Sequence, residues 1–256
     1  MASPVKIKRT ERDKLRVLFN NCHYDRVLID SVLEGLIGEA YADSATNPTV
    51  ARLDSGSFTM LGGDHNASIV KELLHRAPIA YITPQTNHWR SVLQDELDVQ
   101  MTALPFTNFS STALSETRLS ELIESLSPIY QLKRVDKVLA KRLPSEIGNQ
   151  WFFENFHSID DFLSRGIGFC ILHQDIIVSA ATSTSQCKRA IDIEIETVAE
   201  YCKQGLASVA GAQLVKHCLE NGIEPRWMAA NTVSEKLAQK LGYIRAGRYE
   251  TLELNT

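Results

Sequence analysis

The segment AIDIEIETV (190–198) alternates strictly, with Ile191, Ile193 and Ile195 on one parity and Asp192, Glu194 and Glu196 on the other. A period of two belongs to a β-strand, so three isoleucines share one face and three carboxylates the opposite face. Such a strand must cover its apolar face. Its acidic face must meet solvent or a site. The chain then changes character at once. YCKQGLA (201–207) is a glycine-containing turn that opens a helix running to Glu220. The apolar stripe of that helix is Leu206, Val209, Ala210, Leu214 and Cys218, and Asn221-Gly222 ends it.

The elements around this unit are short and well punctuated. DKVLAKRL (136–143) and SIDDFLSR (158–165) read as helices. GFCILH (168–173) and IIVSAATSTS (176–185) read as strands joined by a tight turn at Gln174-Asp175. With 190–198 they predict an antiparallel meander. PRWMAAN (225–231) is a further strand, SEKLAQKL (234–241) a helix, and YIRAGRYETLEL (243–254) a final strand pair or hairpin.

The first half is mixed. Residues 11–36 carry apolar positions at helical spacing. Residues 37–62 predict three short strands, with turns at Asn47-Pro48 and Ser55-Gly56. A helix near 66–76, a strand at 78–84, a helix at 86–96 and a strand at 99–110 come next. The polar stretch 111–128 holds one amphipathic helix. The fold class expected is α/β (α+β): an N-terminal mixed α/β domain over 1–127, then a mixed central sheet flanked by helices over 128–256. No internal repeat stands out.

Composition narrows the function classes. The net charge of −4 is a poor match to a general nucleic-acid binder, which needs clustered Lys and Arg. The five cysteines, Cys22, Cys170, Cys187, Cys202 and Cys218, are scattered with no C-x-x-C pair, and the histidines lack metal-ligand spacing. Neither a zinc site nor a secreted disulfide framework is expected. The N-terminus has no signal-peptide core, and no apolar run is long enough to span a bilayer. A reduced, cytoplasmic protein without nucleic-acid or membrane partners is the expectation, and a homodimer is compatible with it.

Backbone N–H groups at a helix start, preceded by glycine, suit a pyrophosphate: the amides satisfy its oxygens and the helix dipole favours its charge. Gly205 and Ala207 fit that use, and Lys203 adds charge at the rim. On the turn alone, an ordinary strand-to-helix connection is the better account. The ordered set changes this. Cys202-Lys203-Gln204-Gly205-Leu206-Ala207, then Asn231, then Leu241-Gly242-Tyr243 resembles the GNAT N-acyltransferase superfamily. That family's turn reads Arg/Gln-x-x-Gly-x-Gly/Ala, and its last motif is Asn, helix, Leu-Gly-Phe/Tyr. EIETVAEYCKQGLA together with AANTVSEKLAQKLGY is similar to a bacterial two-part branch that includes zwittermicin-resistance-type acetyltransferases.

The resemblance implies acetyl-CoA as acyl donor, no metal, and a small-molecule amine as acceptor. It implies that the strand carrying Val198 splays from the strand carrying Ala229 and Ala230, with pantetheine in the gap. The Val198 N–H would hold the thioester carbonyl. Lys203, Gln204, Gly205, Leu206, Ala207 and Ser208 would bind the pyrophosphate, and Asn231 and Ser234 would touch the cofactor. The amine attacks the thioester directly, and Glu194 and Glu196, with Asp192 third, are the candidate bases. Asn231 is equally a helix cap, although Thr232 and Glu235 form a capping box of their own. Cys202 stands where the family has Arg or Gln, and Ala238 where many members have an acid-donating Tyr. These two departures motivate the alternative of a non-catalytic acyl-CoA-binding or sensor module. Gly62-Gly63-Asp64-His65 reads as a turn. Trp151, Phe152, Phe153, Phe156 and Trp227 read as core.

Overall fold

Short turns and alternating strands dictate local pairing throughout the chain. The computed structural model describes residues 3–149 and 151–255. It divides into one unit formed by Met1–Pro105 with Tyr249–Thr256, and a second formed by Phe106–Arg248.

In the first unit, β1 (Val5–Lys6) leads into a 3₁₀ helix (Arg9–Phe19) and α1 (Arg26–Leu33). Then come β2 (Glu39–Ala42), β3 (Val50–Ser55), β4 (Phe58–Gly63), α2 (Val70–Leu74), β5 (Tyr81–Ile82), α3 (Asn87–Glu96) and β6 (Gln100–Ser110), which passes into the second unit at Phe106. Strands β1 to β4 are antiparallel in sequence order, and β5 lies parallel to β4. Leu252 and Glu253, near the end of the chain, close this sheet antiparallel to β5. Two buried arginines fasten helix ends: Arg12 of the 3₁₀ helix donates to the carbonyls of Val32 in α1 and Ile37 just beyond it, and Arg52 of β3 to those of Leu73 and Leu74 in α2. Each meets a helix C-terminus, where backbone carbonyls lack intrahelical donors.

The second unit contains α4 (Glu116–Glu124), β7 (Tyr130–Arg134), α5 (Lys137–Ile147), α6 (Ile159–Arg165), β8 (Gly168–His173), β9 (Ile176–Gln186) and β10 (Ala190–Thr197). It continues with α7 (Leu206–Glu220), β11 (Glu224–Ala229), α8 (Thr232–Leu241) and β12 (Ile244–Asn255), which returns to the first unit at Tyr249. The meander β7–β10 is antiparallel, β11 is parallel to β10, and the end of β6 pairs antiparallel with β11. Gln174 and Asp175 both take positive φ in the β8–β9 turn, as a two-residue hairpin of this twist requires. On one face, Ile191, Leu206, Val209 and Leu214 are buried together. On the other, Leu139, Leu143, Phe152, Phe162 and Ala180 are.

The two units repeat one plan: strand, two helical segments, three antiparallel strands, helix, parallel strand, helix, strand. In each, the closing strand comes from the other half of the sequence, β6 for the second unit and the end of β12 for the first. This internal duplication corrects the expectation of a chain without repeats. The expected division at 127/128 also differs from the observed one. Leu119 of α4 is buried with Ala212, Val215 and Trp227, which draws 106–127 into the second unit. Leu252 and Leu254 are buried with Val50, Ile69 and Ile82, which returns the last residues to the first. Two elements are corrected as well: residues 244–255 form one strand rather than a hairpin, and β7 is a strand the residue pattern does not predict.

Candidate active site

The site is set by where β10 stops pairing. Its parallel ladder with β11 consists of Ala190–Glu224, Ile191–Pro225 and Asp192–Arg226 and ends there. Trp227, Met228 and Ala229 pair instead with Phe109, Asn108 and Thr107 of β6. Among the described residues, the edge of β10 beyond Asp192 therefore has no strand partner on the β11 side. The buried Tyr243 hydroxyl donates to the Pro225 carbonyl at 2.9 Å and pins β11 at the branch point. Gly242, at φ +111, lets the chain leave α8 to place that tyrosine.

Hydrogen-bond parity tells which amides face the gap. The Val198 N–H donates to the Val178 carbonyl of β9 at 3.0 Å. Alternation then turns the N–H groups of Ile195 and Thr197 the other way, toward the gap. The expectation for Val198 is corrected accordingly: its amide is spent in the sheet. The Thr197 N–H is met by the Glu196 carboxylate at 3.1 Å.

After β10, Lys203 and Gly205 both adopt left-handed conformations, with φ of +63° and +84°. Gly205 is the N-cap of α7, and a Cβ placed on it would meet nothing within 4 Å. The space before the helix is thus open. The first turn of α7 holds no acidic residue, so nothing in it offsets the positive end of the dipole. The amides of Leu206 and Ala207 have no intrahelical acceptor by position. The Ser208 N–H returns to the Gly205 carbonyl at 3.0 Å, which removes Ser208 from the amides on offer. Leu206 contributes only its backbone, because its side chain is buried. The exposed Gln204 accepts from the Tyr130 hydroxyl at 2.6 Å, and Lys203 is exposed.

Asn231 caps α8, accepting from the Ser234 N–H at 2.9 Å. This corrects the capping box expected at Thr232: Glu235 instead accepts from the Thr107 hydroxyl and pairs with Arg245. The Ser234 hydroxyl accepts from the Trp227 indole at 3.1 Å. Ala238 is fully buried among apolar side chains.

The acidic face of β10 is divided by depth. Asp192 is buried and accepts from the Ser185 hydroxyl at 2.7 Å, beside an irregularity in the β9–β10 register. Glu196 is exposed and lines a cavity of about 490 Å³ with Pro144, Gly148, Asn149 and Trp151. Glu194 lies behind that wall and accepts from the Asn149 amide at 2.9 Å. Its carboxyl is raised above the ordinary range, first by burial and then by the charges of Glu196 and Glu154, while Asn149 opposes the shift. Asn149 is a site residue that sequence reasoning missed. It comes directly after the left-handed Gly148 that ends α5, and its carbonyl oxygen also accepts from the Trp151 N–H. Nothing in the local sequence joins it to Glu194.

The strand with outward amides, the open turn before α7 and the raised carboxylate beside a cavity all lie in the second unit. A family model described as GNAT acetyltransferase matches residues 16–252, and the chain belongs to that family. It is similar to the uncharacterized N-acetyltransferase YdfB of Bacillus subtilis (strain 168), with 26% identity over 95% of each chain. It is also similar to a GCN5-related N-acetyltransferase-like protein from Streptococcus suis 89/1591, with a TM-score of 0.82 and 26% identity, covering 97% of this chain and 100% of that one. A tandem GNAT protein from the clavulanic acid biosynthesis pathway shares the fold at TM-score 0.61 and 9% identity, covering 98% and 97%. The protein is an N-acetyltransferase with a mixed sheet flanked by helices. Among the described residues, no helix is long and apolar enough to cross a membrane, and no cluster of three or more His, Cys, Asp or Glu is placed to hold a metal.

Proposed function

We propose that this N-acetyltransferase uses acetyl-CoA and transfers the acetyl group to a primary amine of a small molecule by direct attack on the thioester. The single observation that carries this is the end of β10–β11 pairing at Asp192–Arg226. It leaves outward amides along one side of a slot, and Glu196, which meets the Thr197 amide, also lines the cavity.

The chain's own groups have distinct tasks. The amides of Leu206 and Ala207, with Gly205 and Lys203, hold the pyrophosphate. The Thr197 N–H binds pantetheine once Glu196 swings away. The Ile195 N–H meets the thioester oxygen as it becomes anionic. Asn231 and Ser234 stand at the opposite lip of the slot. Glu194, with its raised carboxyl, takes a proton from the ammonium of the acceptor, whose nitrogen then attacks the carbonyl carbon. The carbon–sulfur bond breaks and the thiolate leaves with the electron pair, while the second proton, lost by the nitrogen as it becomes an amide, passes through water to the thiolate. Glu196 and the Trp151 indole, both on the cavity wall, favour a cationic amine.

The test is acetyl-CoA consumption with a panel of small primary amines, read as thiol release with matching N-acetylated product. Thiol release without product, or none with any amine, would count against the proposal. The absence of a tyrosine at Ala238 favours the second reading, a non-catalytic acyl-CoA-binding module. Cofactor binding with no turnover would support it.

A further inference from the structure

The duplication raises the question of whether the first unit holds a second acyl-CoA. The two copies align through one hydrogen bond. Asp64 N–H donates to the Thr49 carbonyl at 2.9 Å, as Val198 N–H does to Val178. Counting back from Asp64 and Val198 sets Leu61 against Ile195, Gly63 against Thr197, Met60 against Glu194, and Gly62 against Glu196. The branch itself is retained: β4–β5 pairing consists of Phe58–Tyr81 and Thr59–Ile82 only.

Past the branch the two copies diverge. Leu61 turns its carbonyl toward the gap by the same parity, and the Cys22 thiol lies 4.0 Å from that oxygen. The next residues are fastened beyond it. Gln85 accepts from the His23 N–H at 3.0 Å and the Tyr24 N–H at 3.3 Å. Tyr24 stacks on Tyr249 with ring centroids 4.1 Å apart, and the buried Asp25 carboxyl is bonded by Thr83. The 3₁₀ helix closes in as well: a Cβ on Gly62 would meet the Phe19 ring at 2.8 Å. Residues 22–25 connect the two helical segments of this unit, as 148–158 do in the second, where the cavity lies.

The chemical groups have also gone. Phe58, Met60 and Gly62 occupy the positions of the three carboxylates. The helix after the turn has five residues against fifteen, with Glu72 in its first turn. Asp64 sits where Val198 does. Two negative charges near the turn oppose a phosphate.

We infer that the first unit is a silent copy of the acyltransferase fold whose cofactor slot is closed by its own segment Cys22–Asp25, so that each chain binds one acyl-CoA. This rests on the acetyl-CoA site proposed for the second unit. The test is calorimetric titration of the full chain with coenzyme A, for the parent and for Gly205→Asp. Aspartate tolerates the left-handed conformation and sets a carboxylate against the phosphate. The expected result is one site per chain, weakened on the order of 100-fold in the variant. Hydrogen exchange on the parent gives a readout independent of any variant: protection by coenzyme A at 195–208 and none at 58–70. Two sites per chain, binding that survives Gly205→Asp, or protection at 58–70 would overturn the silent copy. No binding to the parent would instead overturn the acyltransferase site, and the count with it.

Discussion

The first and second units share one strand order and one branch between parallel strands, yet only one has the parts for acyl transfer. In the second, β10 carries Glu194 and Glu196, Gly205 faces open space, and a fifteen-residue helix begins there. In the first, β4 carries Met60 and Gly62, Gly63 is packed against the chain, and the helix is one turn long. The branch is therefore a property of the fold. The chemistry belongs to a few side chains and to the space left in front of them.

The contrast breaks most visibly at Glu194. Glu194→Gln is expected to lower kcat/KM by roughly 10²–10⁴-fold, in the range of a lost general base, with coenzyme A affinity unchanged. Its carboxyl must be ionised to accept a proton, and its folded-state pKa is raised. The parent's kcat/KM should therefore fall with decreasing pH beginning above the usual glutamate range, and the variant should lose that limb. A limb that persists in Glu194→Gln would assign the base elsewhere.

Paired glycine substitutions sharpen the contrast. Gly63 has φ +95°, and a Cβ there would lie 2.2 Å from the Thr49 carbonyl, so Gly63→Ala must move backbone. A loss of about 3 kcal/mol in denaturant unfolding is expected, with coenzyme A binding intact while the protein is folded. Gly205 has φ +84° and nothing within 4 Å, so Gly205→Ala should lose only about 1 kcal/mol of stability while weakening coenzyme A binding. Equal stability losses at both positions would remove the physical basis of the contrast.

The active unit is far more legible in the sequence than the silent one. Alternation in 190–198, the glycine turn and the stripe of α7 are local signals, and the structure has them where they are expected. The branch is a failure of pairing between residues 192 and 226, and no local pattern encodes it. Val198 is a misassignment by one residue of parity, which only the β9 partner settles. Asn149 reaches Glu194 across 45 positions of sequence. The duplication is invisible because the copies share topology without side-chain likeness: FTMLGG and AIDIEIET are different strands to any reading of residue type.

A pH-dependent effect is expected at Asp25, in the closed slot. Burial raises its pKa to about 6, against roughly 3.9 in an unfolded chain. The folded state then holds more protons than the unfolded state between those values. Its contribution to stability is present below about pH 4 and lost as pH rises through about 6. Asp25→Asn keeps a residue suited to its φ of +52°. The variant should match the parent near pH 4 and exceed it above pH 6 by at most about 3 kcal/mol. Equal stability of the two at pH 7 would show that the closed slot tolerates the charge.

The most direct measurement is a crystal structure of the protein with coenzyme A or a non-hydrolysable acetyl analogue. An acyltransferase site in the second unit requires pantetheine between β10 and β11, the pyrophosphate on the amides before α7, and the acyl oxygen about 3 Å from the Ile195 N–H. A ligand bound elsewhere, or β10 and β11 paired along their length around an empty turn, would contradict it.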